Sequence, residues 1–212
     1  MRLSEKTIEL NFCSQMLLKF GPSLIWFGLT QREEAKLGFD ARTELGGRMF
    51  FFQFKACVRL LSSGDRRFLL PHGQLVRLRA LASRFPRCVF YVFPLLGTEA
   101  ELTRNPDVVA QSWFLDVGLM PLVAPPTTRA GTLRKNSLHY ADVRPRTAVL
   151  HSEPTQVDLV SAATFAESRF SGSDGINRAF ESFEDFWQFA QIFKRNAVGC
   201  VTVTRPAPSG AG

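Results

Sequence analysis

Gly38-Phe39-Asp40-Ala41-Arg42-Thr43-Glu44-Leu45-Gly46-Gly47-Arg48-Met49-Phe50-Phe51-Phe52-Gln53-Phe54-Lys55-Ala56 has the pattern of a β-hairpin, with an adjacent Gly-Gly between β-prone flanks. Two glycines supply the positive φ angles of a two-residue primed turn. With Gly46 and Gly47 as the turn, Leu45 pairs with Arg48, and counting outward sets Asp40 opposite Gln53. Directly opposed residues share a face, and side chains alternate along a strand. The pattern therefore predicts Phe39, Phe50, Phe52 and Phe54 on an apolar face, and Asp40, Phe51, Gln53 and Lys55 on the other. A carboxylate and an amide oxygen are hard ligands suited to Mg²⁺, and a neighbouring ammonium stabilises developing negative charge, an arrangement fit for phosphodiester hydrolysis. A surface hairpin whose Asp and Lys are solvated or paired is the alternative that these residues leave open.

Gly38-Phe39-Asp40, the apolar run, and Gln53-Phe54-Lys55-Ala56 together resemble the core of the PD-(D/E)xK nuclease superfamily, in the variant with Gln in place of the second acid. Phe39 stands where that family loosely keeps a proline, and Gln53 removes one negative charge from the site. The resemblance covers about residues 4–96: a Glu-bearing first helix, the hairpin, a helix and a buried strand. It implies a restriction-endonuclease-like α/β fold, a mixed central sheet flanked by helices. It also implies a metal-dependent nuclease acting on DNA or RNA with Mg²⁺ or Mn²⁺. Asp40 would be the principal ligand, Gln53 would add its carbonyl oxygen, Glu9 would support a metal-bound water, and Lys55 would stabilise charge or help activate water. A catalytically inactive member that binds nucleic acid, and a protein-interaction subunit, are the alternatives.

The flanking sequence agrees with that order. Ser4 is a good N-cap, and Ile8, Phe12 and Met16 recur at helical spacing until Gly21-Pro22, which predicts a helix over 5–20 with Glu9 at the edge of its buried stripe. Glu5 in its first turn suits the helix dipole. Leu24 to Leu29 is a short strand or the lead-in to the hairpin, and Thr30 with Glu33 has the form of a capping box. Glu33 and Glu34 compete with Glu9 for any role facing a metal. Ser62 to Arg67 reads as a turn with two arginines, followed by a helix whose stripe is Leu75, Leu78 and Ala82 and which Phe85-Pro86 ends. Cys88 to Phe93 is continuously apolar, as in a strand buried on both faces.

Beyond residue 96, Ser112 to Val117 and Leu138 to Val143 read as strands. Ser182 and Asp185 cap a helix bearing Phe183, Phe186, Trp187, Ala190 and Phe193, a stripe that reads as core and of which an exposed fraction could dock a protein partner, and 201–212 reads as a disordered tail. The whole reads as one α/β domain over 1–200, with the nuclease-like core at about 4–96 and an extension at 97–200. The chain of 212 residues carries net charge +7, compatible with a polyanionic partner, and Arg66, Arg67, Arg129, Arg134 and Lys135 are the candidate phosphate contacts. The four cysteines are isolated, without a Cys-x-x-Cys pair, so neither a disulfide framework nor a zinc site is expected. His139 and His151 are not at a ligand spacing and read as structural or surface residues. No apolar run reaches membrane-spanning length, and a cytoplasmic location is expected.

Overall fold

The structure, a computed structural model, describes residues 1–20, 24–45, 48–121, 137–151 and 155–165. The chain divides into two units, Met1–Ala179 and Phe180–Gly212, and the second, with the aromatic helix and the tail expected from the sequence, lies outside the described residues. The first unit is α/β, with two sheets flanked by helices.

Helix α1 (Glu5–Phe20) starts where Ser4 Oγ accepts the Thr7 N–H, and it buries Ile8, Phe12 and Met16. Strand β1 (Ile25–Gly28) is followed by α2 (Gln31–Leu37), whose Thr30–Glu33 capping box forms as the sequence predicts. The hairpin is β2 (Ala41–Leu45) and β3 (Arg48–Phe54), in the expected register: Leu45 opposite Arg48, Ala41 opposite Phe52. Strands β4 (Arg59–Leu60) and β5 (Arg66–Pro71) lead directly into α3 (His72–Arg84), and β6 (Val89–Pro94) is buried at every position. A short helix α4 (Glu99–Arg104) precedes β7 (Ser112–Asp116). Strands β8 (Leu138–Arg144), β9 (Thr147–Leu150), β10 (Thr155–Asp158) and β11 (Val160–Ser161) follow.

The first sheet runs β1-β2-β3-β6-β7-β11 and is mixed, because β3 and β6 pair in parallel while its other neighbours are antiparallel. The second runs β10-β9-β8-β5-β4, wholly antiparallel. Residues beyond 96 are therefore not appended to a finished core: β7 and β11 extend the hairpin's own sheet, and β8 pairs with β5. Arg66 and Arg67 lie on a strand, not in the turn expected from the sequence, because β8, distant in sequence, supplies β5 with its partner.

Both faces of β3 are covered. On one, Phe50, Phe52 and Phe54 meet Phe12 of α1, Phe90 and Phe114, with Phe12 and Phe54 rings 5.4 Å apart. On the other, Phe51 meets Phe85 at the end of α3 at 5.2 Å. Phe39 joins Phe51, at 5.0 Å, and not Phe50, Phe52 and Phe54 as the strand alternation predicts. Its position explains this: β2 begins at Ala41, so Phe39 still belongs to the turn leaving α2, where alternation does not hold. The face that carries Gln53 and Lys55 is thus interior too, and both residues are buried.

Candidate functional site

Asp40 is placed by the way α2 ends. Gly38 caps the helix with φ +88°, its N–H donating to Glu34 O, and a Cβ there would lie 3.1 Å from Arg77 Cβ and 3.4 Å from Gln74 O. Glycine therefore serves twice, supplying a left-handed conformation and letting α2 approach the first turns of α3. The Asp40 N–H then donates to Phe52 O at 3.0 Å, continuing the hairpin ladder past the end of β2.

The Asp40 side chain is held on one oxygen. Its Oδ2 accepts the Phe54 N–H at 2.7 Å and Gln53 Nε2 at 2.7 Å, while Oδ1 takes no hydrogen bond from the described residues. Gln53 Oε1 faces the other way and accepts Gln74 Nε2 at 2.7 Å. The polar chain thus runs Asp40, Gln53, Gln74, and ends on an acceptor, Gln74 Oε1, that is buried with no partner among the described residues. Tyr91, opposite Gln53 across β3 and β6, likewise buries its hydroxyl without a partner among the described residues. Lys55, 4% exposed, donates from Nζ to Glu5 Oε1 at 3.2 Å.

Four acids and two bases feel one another here: Asp40, Glu5, Glu9 and Glu34 with Lys6 and Lys55. Burial pushes the Asp40 carboxyl up to about 7, against the Phe54 N–H, the Lys55 ammonium and the Gln53 amide, which favour its charged form, while Glu5 opposes them. Glu34 is raised, first by burial and then by the Glu9 carboxylate. The bond that Lys6 Nζ donates to Glu9 Oε1, at 2.8 Å, raises the Lys6 ammonium above its ordinary value. Burial also raises the Tyr91 phenol.

The structure brings Asp40 and Gln53 together as the register predicts, and sets Lys55 beside them on the same stretch of chain. Gln53 presents its amide nitrogen to Asp40, not its carbonyl oxygen. Glu9 is paired with Lys6, and the acid that meets Lys55 is Glu5. Glu5 and Glu9 stand four residues apart on one face of α1, so helical spacing carried that signal, although the sequence reading gave Glu5 only a role at the helix dipole. Tyr91 follows from the β3–β6 register, whereas no local pattern joins Gln74 to Gln53. Glu33 is committed to the Thr30 cap.

The candidate phosphate contacts Arg66 and Arg67 both hold carboxylates: Arg66 grips Glu101 with two nitrogens, the shorter bond 2.7 Å, and Arg67 grips Asp142 with two bonds of 2.7 Å. Arg129, Arg134 and Lys135 lie outside the described residues. His139 is buried against His72, with ring nitrogens 2.9 Å apart, and His151 joins Arg67 on Asp142. Cys13 and Cys57 are in no disulfide. Among the described residues, no three His, Cys, Asp or Glu side chains gather closely enough to hold a metal ion as they stand, and no helix is long and apolar enough to cross a membrane. No family model, no curated protein and no solved structure matches the chain.

Proposed function

We propose that this chain is a restriction-endonuclease-like, metal-dependent nuclease that hydrolyses phosphodiester bonds in DNA or RNA at Asp40. One observation carries the reading: a carboxylate buried in a phenylalanine-rich interior, with one oxygen held by two donors and the other bare, and with its ionised form undercompensated. A core has no use for such a group, since burying a carboxylate without full pairing costs stability. A cation is what the arrangement lacks, and the bare Oδ1 is where Asp40 could receive one. Mg²⁺ commonly binds through one or two carboxylates and keeps several waters, so the donor set fits it or Mn²⁺ without a third acid. When bound, such an ion polarises the phosphodiester and lowers the pKa of a water.

The chain's own residues have separate tasks. Asp40 anchors. Lys55, close to Asp40 and buried, offers an ammonium to developing negative charge, with Glu5 holding it in place. Gln53 contributes its carbonyl only by turning its amide over, and Gln74 supports that turn: with its own amide also reversed, its oxygen meets the Gln53 Nε2. Glu9 and Glu34 add negative potential around Lys6, which Asp40 also reaches.

Binding without cleavage is a second reading, favoured by the commitment of the Gln53 carbonyl to Gln74. Calorimetric Mn²⁺ titration and nuclease assays on wild type, Asp40→Ala and Gln53→Glu separate the two. The nuclease reading expects divalent-ion-dependent cleavage that Asp40→Ala abolishes, and tighter Mn²⁺ binding in Gln53→Glu. Wild type that neither binds Mn²⁺ nor cuts DNA or RNA, with Gln53→Glu no different, leaves binding alone.

A further inference from the structure

We propose that the cleft walled by Arg2, Arg59 and Arg66 is a binding site for a phosphoryl group of the nucleic acid, next along the chain from Asp40 and Lys55. The assignment to nucleic acid rests on the function proposed above, whereas the affinity for phosphate does not. The cleft has a volume of about 120 Å³, room for a tetrahedral oxyanion and too little for a sugar and base as well. Glu101, Gly97 and Cys57 complete its wall.

Its charge balance points to an anion. Glu101 is the acid in the wall, and its oxygens are already satisfied by Arg66 and by the backbone N–H groups of Gly97 and Thr98. Arg66 and Glu101 cancel each other. Arg2 donates to a neutral carbonyl, Val58 O, and the Arg59 guanidinium makes no hydrogen bond or ion pair with any described residue. Two uncancelled guanidinium charges thus belong to residues that line one small cleft, and guanidinium forks match phosphate oxygens in geometry and charge.

The wall also joins the candidate site on both sides. Arg59 follows Lys55 by four residues and Arg2 precedes Glu5 by three, while Lys55 and Glu5 are themselves paired. Spans of three and four residues reach at most about 10–14 Å, so the cleft lies within the distance covered by a few nucleotides of one strand. Neither arginine was marked by the sequence pattern, because Arg2 sits in an unremarkable N-terminal stretch and Arg59 on a two-residue strand.

The test uses the full chain in EDTA, so that no result depends on cleavage. Inorganic phosphate is titrated by calorimetry into wild type, Arg59→Ala and Arg2→Ala, with urea midpoints confirming that both variants fold. Short single-stranded oligonucleotides with a 5′-phosphate or a 5′-hydroxyl are then titrated across a salt series. The proposal expects phosphate binding that weakens at least tenfold in each variant, together with a salt slope for oligonucleotides that drops by about one in Arg59→Ala. A preference for the 5′-phosphorylated strand identifies the occupant as a strand end, and equal binding identifies a backbone phosphate. Wild type without phosphate binding, or variants that bind it unchanged, would overturn the site. Phosphate binding lost in Arg59→Ala with oligonucleotide binding untouched would overturn the assignment to nucleic acid. Absence of cleavage by wild type in the presence of Mn²⁺ would count against the nuclease reading alone.

Discussion

Asp40→Asn should make this protein more stable at neutral pH, and the gain should vanish in acid. The carboxyl is raised from its ordinary 3.8 to about 7, with burial as the largest cause. The folded state therefore holds a proton on Asp40 that the unfolded chain releases, and linkage fixes the sign. Stability associated with this group is fully present below pH 3.8 and is lost as the pH rises through 7. At 1.36 kcal/mol per pH unit, the interval between the two values is worth about 4 kcal/mol, and about 3 kcal/mol of it falls between pH 4.5 and pH 8. Asparagine carries no charge to desolvate. Its Oδ1 can accept the Phe54 and Gln53 bonds that Asp40 Oδ2 now accepts, and its NH₂ takes the place of the oxygen that has no bond.

The assay is urea unfolding of both proteins at pH 4.5, 6 and 8, without divalent ions. The stability of Asp40→Asn minus that of wild type should grow by about 3 kcal/mol across this range and level off above it. Any misfit of the amide adds an offset that does not vary with pH, so the slope is the test. A difference that is flat with pH, or that shrinks as the pH rises, would refute the claim that Asp40 is held with its charge undercompensated. The same pair of proteins ties stability to function: excess Mn²⁺ should stabilise wild type at pH 8 and leave Asp40→Asn unchanged, because only a ligand of the folded state moves the equilibrium. Wild type would then be a protein that gives up several kcal/mol of stability to keep a carboxylate where a cation can use it.

Three further outcomes follow from the same geometry. Gly38→Ala should cost about 2 kcal/mol in urea unfolding, because the residue sits at φ +88° with Arg77 Cβ and Gln74 O at contact distance; a neutral result would remove the close approach of α2 to α3. Gln74→Leu takes away the donor that holds the Gln53 carbonyl and also the acceptor that the turned Gln53 amide would meet, and should cost about 1 kcal/mol while weakening Mn²⁺ binding severalfold; unchanged Mn²⁺ affinity would deny Gln53 a place among the ligands. Arg67→Met leaves Asp142 buried with His151 as its remaining side-chain partner, and should destabilise by about 2 kcal/mol at pH 7. The Arg67 bond holds the Asp142 carboxyl below its usual range, so this stabilisation is present above the ordinary carboxylate pKa and is lost as pH falls through the lowered value. The gap between variant and wild type should therefore close in acid, and a gap that persists at low pH would contradict it.

What the sequence disclosed depended on how local the governing contact was. The hairpin register follows from two adjacent glycines, and it brought Asp40 to Gln53 correctly because pairing counted outward from a tight turn has no freedom to slip. Helix α1, the Thr30 cap and the wholly buried β6 were legible for the same reason, each being set by spacing within one element. Sheet β10-β9-β8-β5-β4 was not. Its central pair, β5 with β8, joins residues about seventy apart, and Arg66-Arg67 beside a Ser-Ser-Gly-Asp turn gives no apolar run to announce a strand. The hydrogen bond from Gln74 to Gln53 was hidden likewise, since it depends on where the first turn of α3 lands on the opposite face of β3.

The buried polar groups of the candidate site lie where the chain changes sheets. The Lys55 N–H donates to Val92 O in the first sheet, and three residues later the Val58 N–H donates to Arg67 O in the second. Between them the backbone leaves one ladder before entering the other, so side chains there are released from the alternation that fills β3 with phenylalanine. Helix ends fill the gap: the start of α1 brings Glu5 to Lys55, the start of α3 brings Gln74 to Gln53, and the end of α2 delivers Asp40. Helix termini carry unpaired backbone groups and polar first turns, which makes such a crossing able to shelter charge where the middle of a sheet would expel it. Arg59 and Arg2 stand at the far side of the same crossing, so the proposed anion cleft and the Asp40 site are two consequences of one change of sheet. Shifting that crossing, for instance by inserting a residue between Lys55 and Val58, should weaken Mn²⁺ and phosphate binding together while the phenylalanine core around Phe52 stays folded. An insertion that weakened only one of the two would show them to be independent.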